Sequence, residues 1–339
     1  MLDHLKALCE ISGASGNERS VAEYIQSVIS PFCTCEMDSM GNLIGTKKGA
    51  SRPVKRVMLD AHMDEVGVIV TSITEDGFLH VRALGGIHVE SLVGKRVRFG
   101  QHVGVIGVKP IHLLHGEESK KMPDPQDLTV DIGAKDRDDA RNHVRIGEIG
   151  TFESDYVLFG DGYIKGRALD DRVGCAILMD LICGDSPYDF CFSFSVQEEL
   201  GLRGAKVASF RLNPDCALAL EATTAADLAG TPDSKTVCAL GKGAVVSFMD
   251  GATLYDPALY QAALSLGQEH GIAVQSKQAV AGGNDSGAIH LSREGVRSFT
   301  LSVPCRYLHS SGCVIKRSDA ESVEELARLM LCAMAEGGP

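Results

Sequence analysis

The pattern that most limits how this chain can fold is an alternation of short apolar strands and helices that stops near residue 66 and resumes near residue 164. Before the break, Leu2, Leu5 and Leu8 repeat at helical spacing. A second helix is expected after Ser15, with Val21, Tyr24, Ile25, Val28 and Ile29 on one face and Ser15 and Glu18 as its capping box. Residues 56–61 then read as a strand running into His62. After the break, Val173, Ile177 and Leu181 mark a helix beginning just past Asp170-Asp171. Residues 190–196, 216–220, 272–275 and 298–303 read as strands, a helix opens near Asp285, and 323–334 form a closing amphipathic helix. Strands and helices alternating on both sides of an interruption imply one mixed or mostly parallel sheet built from two chain segments.

The interruption has a different texture. β-branched runs at 67–73, 78–83, 93–99 and 103–108 alternate with glycines, Asp76-Gly77 is a hairpin signal, and one short helix is expected near 135–141. The expected fold class is therefore α/β. A mixed-sheet catalytic domain would come from residues 1–65 and 164–339, with a small β-rich, barrel-like domain at 66–163 inserted into it.

Composition removes several function classes. A net charge of −12 argues against nucleic acid, since phosphate binding needs a dense basic patch and the basic runs here (Lys47-Lys48, Lys120-Lys121) are short. The start, MLDHLKALCE, lacks the apolar core of a signal peptide, and the apolar run 173–183 is too short to span a bilayer and contains Asp180. The expectation is a soluble, cytoplasmic protein with no membrane partner. Eleven cysteines, odd in number and scattered, read as buried free thiols in a reducing compartment. Cys33-Thr34-Cys35 reads as ordinary strand, because no second Cys/His pair follows at zinc-finger spacing.

The polar residues fall unevenly on this frame. His62, Glu198-Glu199, Glu221 and His309 each lie at or just after the C-terminal end of an expected strand, the edge where open α/β sheets bind ligands. Asp170 sits at a helix start. Singly, each has a bland explanation: a surface histidine, a helix-capping acid, a solvated turn, a strand terminus. Together they are imidazole and carboxylate donors converging on one edge, which suits divalent metals. Asp64, two residues past His62, is placed to orient its ring, as carboxylates behind metal-bound histidines do. Adjacent Glu198 and Glu199 point apart, so one can bind metal while the other accepts a proton. The stretch 282–287, GGNDSG, matches no phosphate-binding loop and reads as a turn lining a cleft. The other histidines, His112 and His115 among them, have no partner at ligand spacing.

The ordered series AHMDE (61–65), ALDDR (168–172), QEELG (197–201), ALEATTA (219–225), GGNDSGAIH (282–290) and RYLHSSG (306–312) resembles the tetrahedral, deblocking or glutamyl aminopeptidases. These are di-metal peptidases once also labelled cellulase- or endoglucanase-like. The segments GVIGVKPIHLL (104–114) and LTVDIGA (128–134) also look like theirs. The resemblance implies a metallo-aminopeptidase acting on short peptides with two divalent ions per subunit, zinc or cobalt, with manganese as an alternative. It implies that His62, Asp170 and Glu221 hold one ion and Asp170, Glu199 and His309 the other, with Asp170 bridging. Glu198 matches the general base and Asp64 the acid behind His62. The inserted β domain resembles one used to assemble a homo-oligomer, a dodecamer enclosing the active sites. Glu221 stands where many members have Asp, and Asn284 where many have Thr.

Three competing readings follow from the same residues. An amide hydrolase of N-acyl amino acids would need the same ligands. A glycosidase would leave His62 and His309 without a role, and a chain with no Trp has few rings to stack on sugar. A non-catalytic descendant would be expected to lack a ligand or the base, and none is missing. A preference for acidic first residues would need a basic side chain in the pocket, for which Arg306 is the candidate near a motif.

Overall fold

The structure, a computed structural model, describes residues 1–113 and 128–338, so His115, Lys120 and Lys121 lie outside the described residues. The chain starts with α1 (Leu2–Glu10) and α2 (Arg19–Ile29), followed by the hairpin of β1 (Cys33–Met37) and β2 (Leu43–Lys47) and then by β3 (Val57–His62). Six strands come next: β4 (Gly67–Ile73), β5 (Leu79–Leu84), β6 (Arg96–Phe99), β7 (His102–Gly107), β8 (Thr129–Asp131) and β9 (Ile149–Phe152). They close into a barrel in the order β4-β5-β8-β7-β6-β9, with α3 (Arg137–His143) between β8 and β9. β10 (Val157–Phe159) and β11 (Tyr163–Gly166) lead into α4 (Leu169–Cys183).

The remainder alternates: β12 (Phe190–Ser195), α5 (Arg203–Leu212), β13 (Cys216–Thr224), β14 (Ala244–Val246), α6 (Pro257–His270), β15 (Val274–Ser276), α7 (Ser286–Ile289), β16 (Arg297–Cys305), β17 (Cys313–Lys316) and α8 (Arg317–Ala335). The main sheet has eight strands in the order β1-β2-β12-β3-β13-β16-β14-β15. β12, β3, β13 and β16 are mutually parallel at its centre, while β2 and β14 pair antiparallel with their central neighbours. The expected mixed α/β sheet with an inserted β-barrel is what the chain forms.

Period-2 alternation explains how the sheet is covered. Val57, Leu59 and Ala61 of β3 face a large core shared with α1, α2, α4 and α8, whereas Met58 faces a smaller one with Ala205 and Ala208 of α5 and Ile289 of α7. α4 is apolar on all sides and almost wholly buried, as a helix packed between a sheet and other helices must be. The barrel has its own core of Val68, Leu79, Val97, Phe99, Ile106, Val130 and Phe152.

Several local expectations are corrected. The strand expected at 93–99 starts only at Arg96, because Gly94 adopts φ +75° in a turn. The helix expected to open near Asp285 is present as α7, four residues long. Glu221 lies inside β13, which runs on to Thr224, rather than at its end. Ser15 and Glu18 make no capping box: no side chain caps α2, the Ser15 hydroxyl donates to Asp64, and Glu18 accepts from Gly16 N (2.8 Å) and Gln197 N (3.0 Å). A buried carboxylate outcompetes a helix end for the hydroxyl, because charge-assisted bonds are stronger than neutral ones. All eleven cysteines are free, and no helix among the described residues is long and apolar enough to cross a membrane.

Candidate metal centre

From β3 the chain goes to β12 on one side and later to β13 on the other, so the parallel strands open a crevice at their C-terminal edge. His62 is the last residue of β3, Glu198 and Glu199 lie in the turn after β12, and His309 lies in the loop after β16. Asp170 and Asp171, joined by a cis peptide bond, head α4 with non-helical φ/ψ. Two of the turns use left-handed backbone at non-glycine residues, Gln197 (φ 55°) and His309 itself (φ 57°), conformations that cluster at functional sites.

These residues converge. His62 Nε2 lies 3.4 Å from Asp170 Oδ1, 3.8 Å from Glu221 Oε2 and 4.0 Å from Glu198 Oε2. His309 Nε2 lies 3.4 Å from Asp170 Oδ2 and 3.2 Å from Glu199 Oε1. Asp170 thus presents one oxygen to each imidazole. Among the described residues two groups are compact enough for an ion, with donor atoms within 4.8 Å of one another: Asp170, Glu199 and His309, and His62, Asp171 and Glu221. Asp171 in the second group is a residue that the sequence reading passed over. Its oxygens already accept from His62 N (3.3 Å) and Gly174 N (3.0 Å), so it is tied to backbone.

The electrostatics are those of too many acids in one place. Burial drives the Glu198 and Glu221 carboxyls well above the usual range, and neighbouring acids add to it. Burial opposes charge on His62, yet Glu198, Asp170, Asp64 and Glu221 together hold its pKa well above the ordinary value. His309 is likewise resisted by burial but pushed up to about 11 by Asp170 and Glu199. Asp170, between both imidazoles, and Asp64, behind His62, are held below the carboxylate range against the effect of burial. Glu199 Oε1 and Glu221 Oε1 are buried without a hydrogen bond. Buried acceptors of this kind call for an unseen partner, and a divalent cation is one that also relieves the repulsion. The nitrogen and oxygen donors fit zinc, cobalt or manganese.

Surrounding bonds aim the donors. His62 Nδ1 is 3.1 Å from the Asp64 carbonyl, and His309 Nδ1 is 2.8 Å from the Gly86 carbonyl, so both Nε2 atoms face the carboxylates. The Asp64 carboxylate lies behind the ring as well, 3.5 Å from Nδ1, and also accepts from Ser15 Oγ, Glu198 N (3.0 Å) and Glu199 N (3.1 Å). Fully buried Arg172 donates to the carbonyls of Met63 (2.8 Å), Leu8 (2.6 Å) and Ile11 (3.2 Å), clasping the turn after β3 to the end of α1. Ser15, Gly86 and Arg172 carry no chemistry that a sequence pattern flags.

His62, Asp170, Glu198, Glu199, Glu221 and His309, but not Asp171, line one cavity of about 390 Å³, together with Thr223, Lys277 and residues 282–284. Three larger surface grooves, of about 690, 800 and 620 Å³, hold none of these donors; the third contains only His143 among histidines. The turn at 282–287 does line the cleft, and Asn284 there bonds to Tyr255 Oη (2.9 Å) and Asp250 Oδ2 (3.3 Å). His112 is exposed and belongs to neither donor group. Arg306 is not in the cavity: it pairs with both oxygens of Asp227 at 2.7 Å.

Comparison with known proteins finds relatives over nearly the whole chain. The sequence profile of the M42 glutamyl aminopeptidase family matches residues 41–326. A lysyl aminopeptidase of Pyrococcus furiosus is 32% identical over 338 residues, spanning 96% of this chain and 95% of its own. A TET aminopeptidase structure from the marine sediment archaeon Thaumarchaeota archaeon SCGC AB-539-E09 superposes with a TM-score of 0.93 at 31% identity, covering 99% of this chain and 98% of that one. The structure described as PhTET1-12s, a dodecamer, gives 0.85 at 32% identity, covering 98% of each chain. The chain belongs to the M42 glutamyl aminopeptidase family and is an aminopeptidase, a hydrolase of peptide bonds.

Proposed function

We propose that the protein removes the N-terminal residue from short peptides with the help of two divalent metal ions. His62, Asp170 and Glu221 would hold one ion and Asp170, Glu199 and His309 the other. The observation that carries this reading is Asp170, whose two oxygens lie 3.4 Å from the Nε2 atoms of two different histidines. Asp171 is the weaker ligand candidate, since both its oxygens serve backbone amides. Bound there, zinc or cobalt, or manganese, would polarise the scissile carbonyl and make water more acidic.

The chain's own residues do the rest. Glu198 lies beside the donor groups but belongs to neither, and burial raises its carboxyl above the ordinary range, the direction that makes a carboxylate a stronger base. On this reading it would accept the proton of the attacking water and pass it to the leaving amine. Asp64 fixes Glu198 and Glu199 through their backbone amides, which keeps base and ligand in register. The carboxylate-rich lining favours a free α-ammonium, hence a peptide N-terminus rather than an N-acylated end.

The same proposal divides the chain into a catalytic domain of 1–65 and 164–339 and an inserted β domain of 66–163. In support, the buried members of the barrel core run from Val66 to Phe152, and those of the main core avoid that span. The inserted part would mediate assembly into a dodecamer like that of PhTET1-12s. Eleven free thiols support a cytoplasmic setting.

The test is to chelate the protein, restore zinc, cobalt or manganese singly, and assay an aminoacyl-anilide panel alongside metal content. Glu198→Gln should retain both ions and lose about 10²–10⁴-fold in kcat. Undiminished activity after chelation, or in the Gln variant, would overturn the proposal.

A further inference from the structure

Among the described residues eight buried side-chain oxygens have no hydrogen-bond partner, and four of them gather outside the two donor groups: both oxygens of Asp60, Asp285 Oδ1 and Ser193 Oγ. Asp60 is central in the sheet, with Ser193 of β12 and Ala219 of β13 opposite it in the register of β3. Successive side chains alternate across a sheet, so Asp60 faces the α5 and α7 side with Met58, and Ser193 faces it with Cys191. Asp285 reaches the same place from the head of α7, which its side chain does not cap. All three side chains are fully buried. Asp285 and Ser193 are the side chains that act most strongly on the Asp60 carboxyl. Asp285 Oδ2 alone of the four carboxylate oxygens has a partner, the Ser195 hydroxyl. The one cation among the strong influences on Asp60 is His62, and Asp170, Glu198 and Glu221 already surround that ring.

Buried charges persist when they are paired or bound to a metal, and two buried carboxylates facing one another have neither remedy here. Water could bond these atoms but brings no charge. A proton shared by the two acids joins one oxygen of each and leaves the second Asp60 oxygen and Ser193 outside the bond. A cation can be met by all four atoms at once. Donors that are all oxygen select a hard ion, unlike the mixed nitrogen and oxygen donors of the metal centre. Magnesium keeps several waters and calcium takes about six to eight oxygens, neither of which suits a dry site with four donors. A singly charged alkali ion is the easiest to dehydrate. We propose that Asp60, Asp285 and Ser193 bind a monovalent alkali cation, sodium or potassium, behind the sheet edge that carries the metal centre. The site is separate from the two donor groups and does not depend on what the cleft hydrolyses. The bound ion ties β3, β12 and the head of α7 together, two residues back along β3 from His62.

The experiment melts the full-length protein, loaded with its divalent metal, in sodium, potassium or tetramethylammonium chloride at one fixed ionic strength. Tetramethylammonium is too large for the site and serves as the reference. Sodium or potassium at ten times its dissociation constant should raise the melting temperature by about 2–4 °C over that reference, and the larger rise identifies the ion. Asp60→Asn should abolish the difference between the salts. Ser193→Ala should raise the concentration that gives half the effect by about 5-fold or more, and it decides alone if the Asn variant does not fold. Equal melting temperatures in all three salts overturn the proposal and leave the two acids sharing a proton. So does a sodium or potassium effect that neither substitution changes.

Discussion

Asp64→Asn removes a single charge from the buried carboxylate that holds both glutamates of the turn after β12. Asp64 Oδ1 accepts from Glu198 N at 3.0 Å, and Oδ2 accepts from Glu199 N at 3.1 Å and from the Ser15 hydroxyl. Asn has the same shape but trades one oxygen for an NH₂ donor. The Ser15 hydroxyl can rotate to accept; a backbone amide cannot. In either orientation of the new side chain one buried backbone N–H loses its acceptor, at about 1–3 kcal/mol. Removing one acid from a crowded cluster returns part of that, so a net loss of about 1–2 kcal/mol is expected. The freed amide belongs to the proposed base or to a proposed ligand, so kcat/KM should fall by about 10²-fold or more.

The pH dependence separates this account from a general packing effect. Burial raises the Asp64 carboxyl, but the hydrogen bonds from His62, Ser15 and the Glu198 amide outweigh it and hold its pKa below the ordinary value. A depressed folded-state pKa contributes stability that is complete above the unfolded value of about 3.9 and is lost as pH falls through the folded one. The metal-free wild type should therefore lose this increment on acidification, and the Asn variant should not. Urea unfolding of both proteins across that range, with metal content and kcat/KM at neutral pH, measures all three consequences. An Asn variant matching the wild type in stability, metal content and turnover would refute the reasoning.

Two further outcomes follow from the same geometry. A Cβ at Gly85, where φ is +89°, would sit 2.7 Å from Val66 Cγ1 and 3.2 Å from Glu199 Oε2. Gly85→Ala should cost about 1–3 kcal/mol and reduce turnover, read as a lower melting temperature and kcat/KM; wild-type values in both would dismiss the contact. Glu221→Gln replaces a buried carboxylate whose Oε1 has no hydrogen bond. The variant should bind about one ion per chain where the wild type binds two, and elemental analysis showing no loss would remove Glu221 from the proposed ligands.

The frame was legible because its strands and helices have clean periodicity. Val57, Leu59 and Ala61 alternate with Met58 and Asp60, and the ends of β3, β12 and β16 place His62, Glu198, Glu199 and His309 near one edge. Details of partnership were not legible. Ser15 and Glu18 fit a local capping box in sequence, but each bonds to a distant turn, with 49 residues between Ser15 and Asp64 and 179 between Glu18 and Gln197. Arg306 is the cation that stands in a motif, whereas Lys277 stands in none. Only packing shows that Asp227 has claimed the first and that the second lines the cavity. Asp171 was hidden by its neighbour, since adjacent acids at a helix head cannot be ranked without knowing which carboxylate meets backbone amides.

The two donor groups are not equivalent, and the reason lies in how they are built. His62, Asp171 and Glu221 come from β3, the head of α4 and the interior of β13, and all three are buried. Asp170, Glu199 and His309 depend on two turns and on the segment after β5, because Gly86 O fixes His309 Nδ1 and Gly85 leaves room beside Glu199. The side chain of His309 is 31% exposed against 2% for His62. An ion in the second group would therefore sit where barrel and sheet meet, held by loops that open more easily than strands. A shift of the barrel against the sheet would reach the chemistry through Gly85 and Gly86, at Glu199 and His309, while His62 and Glu221 stay anchored in the sheet.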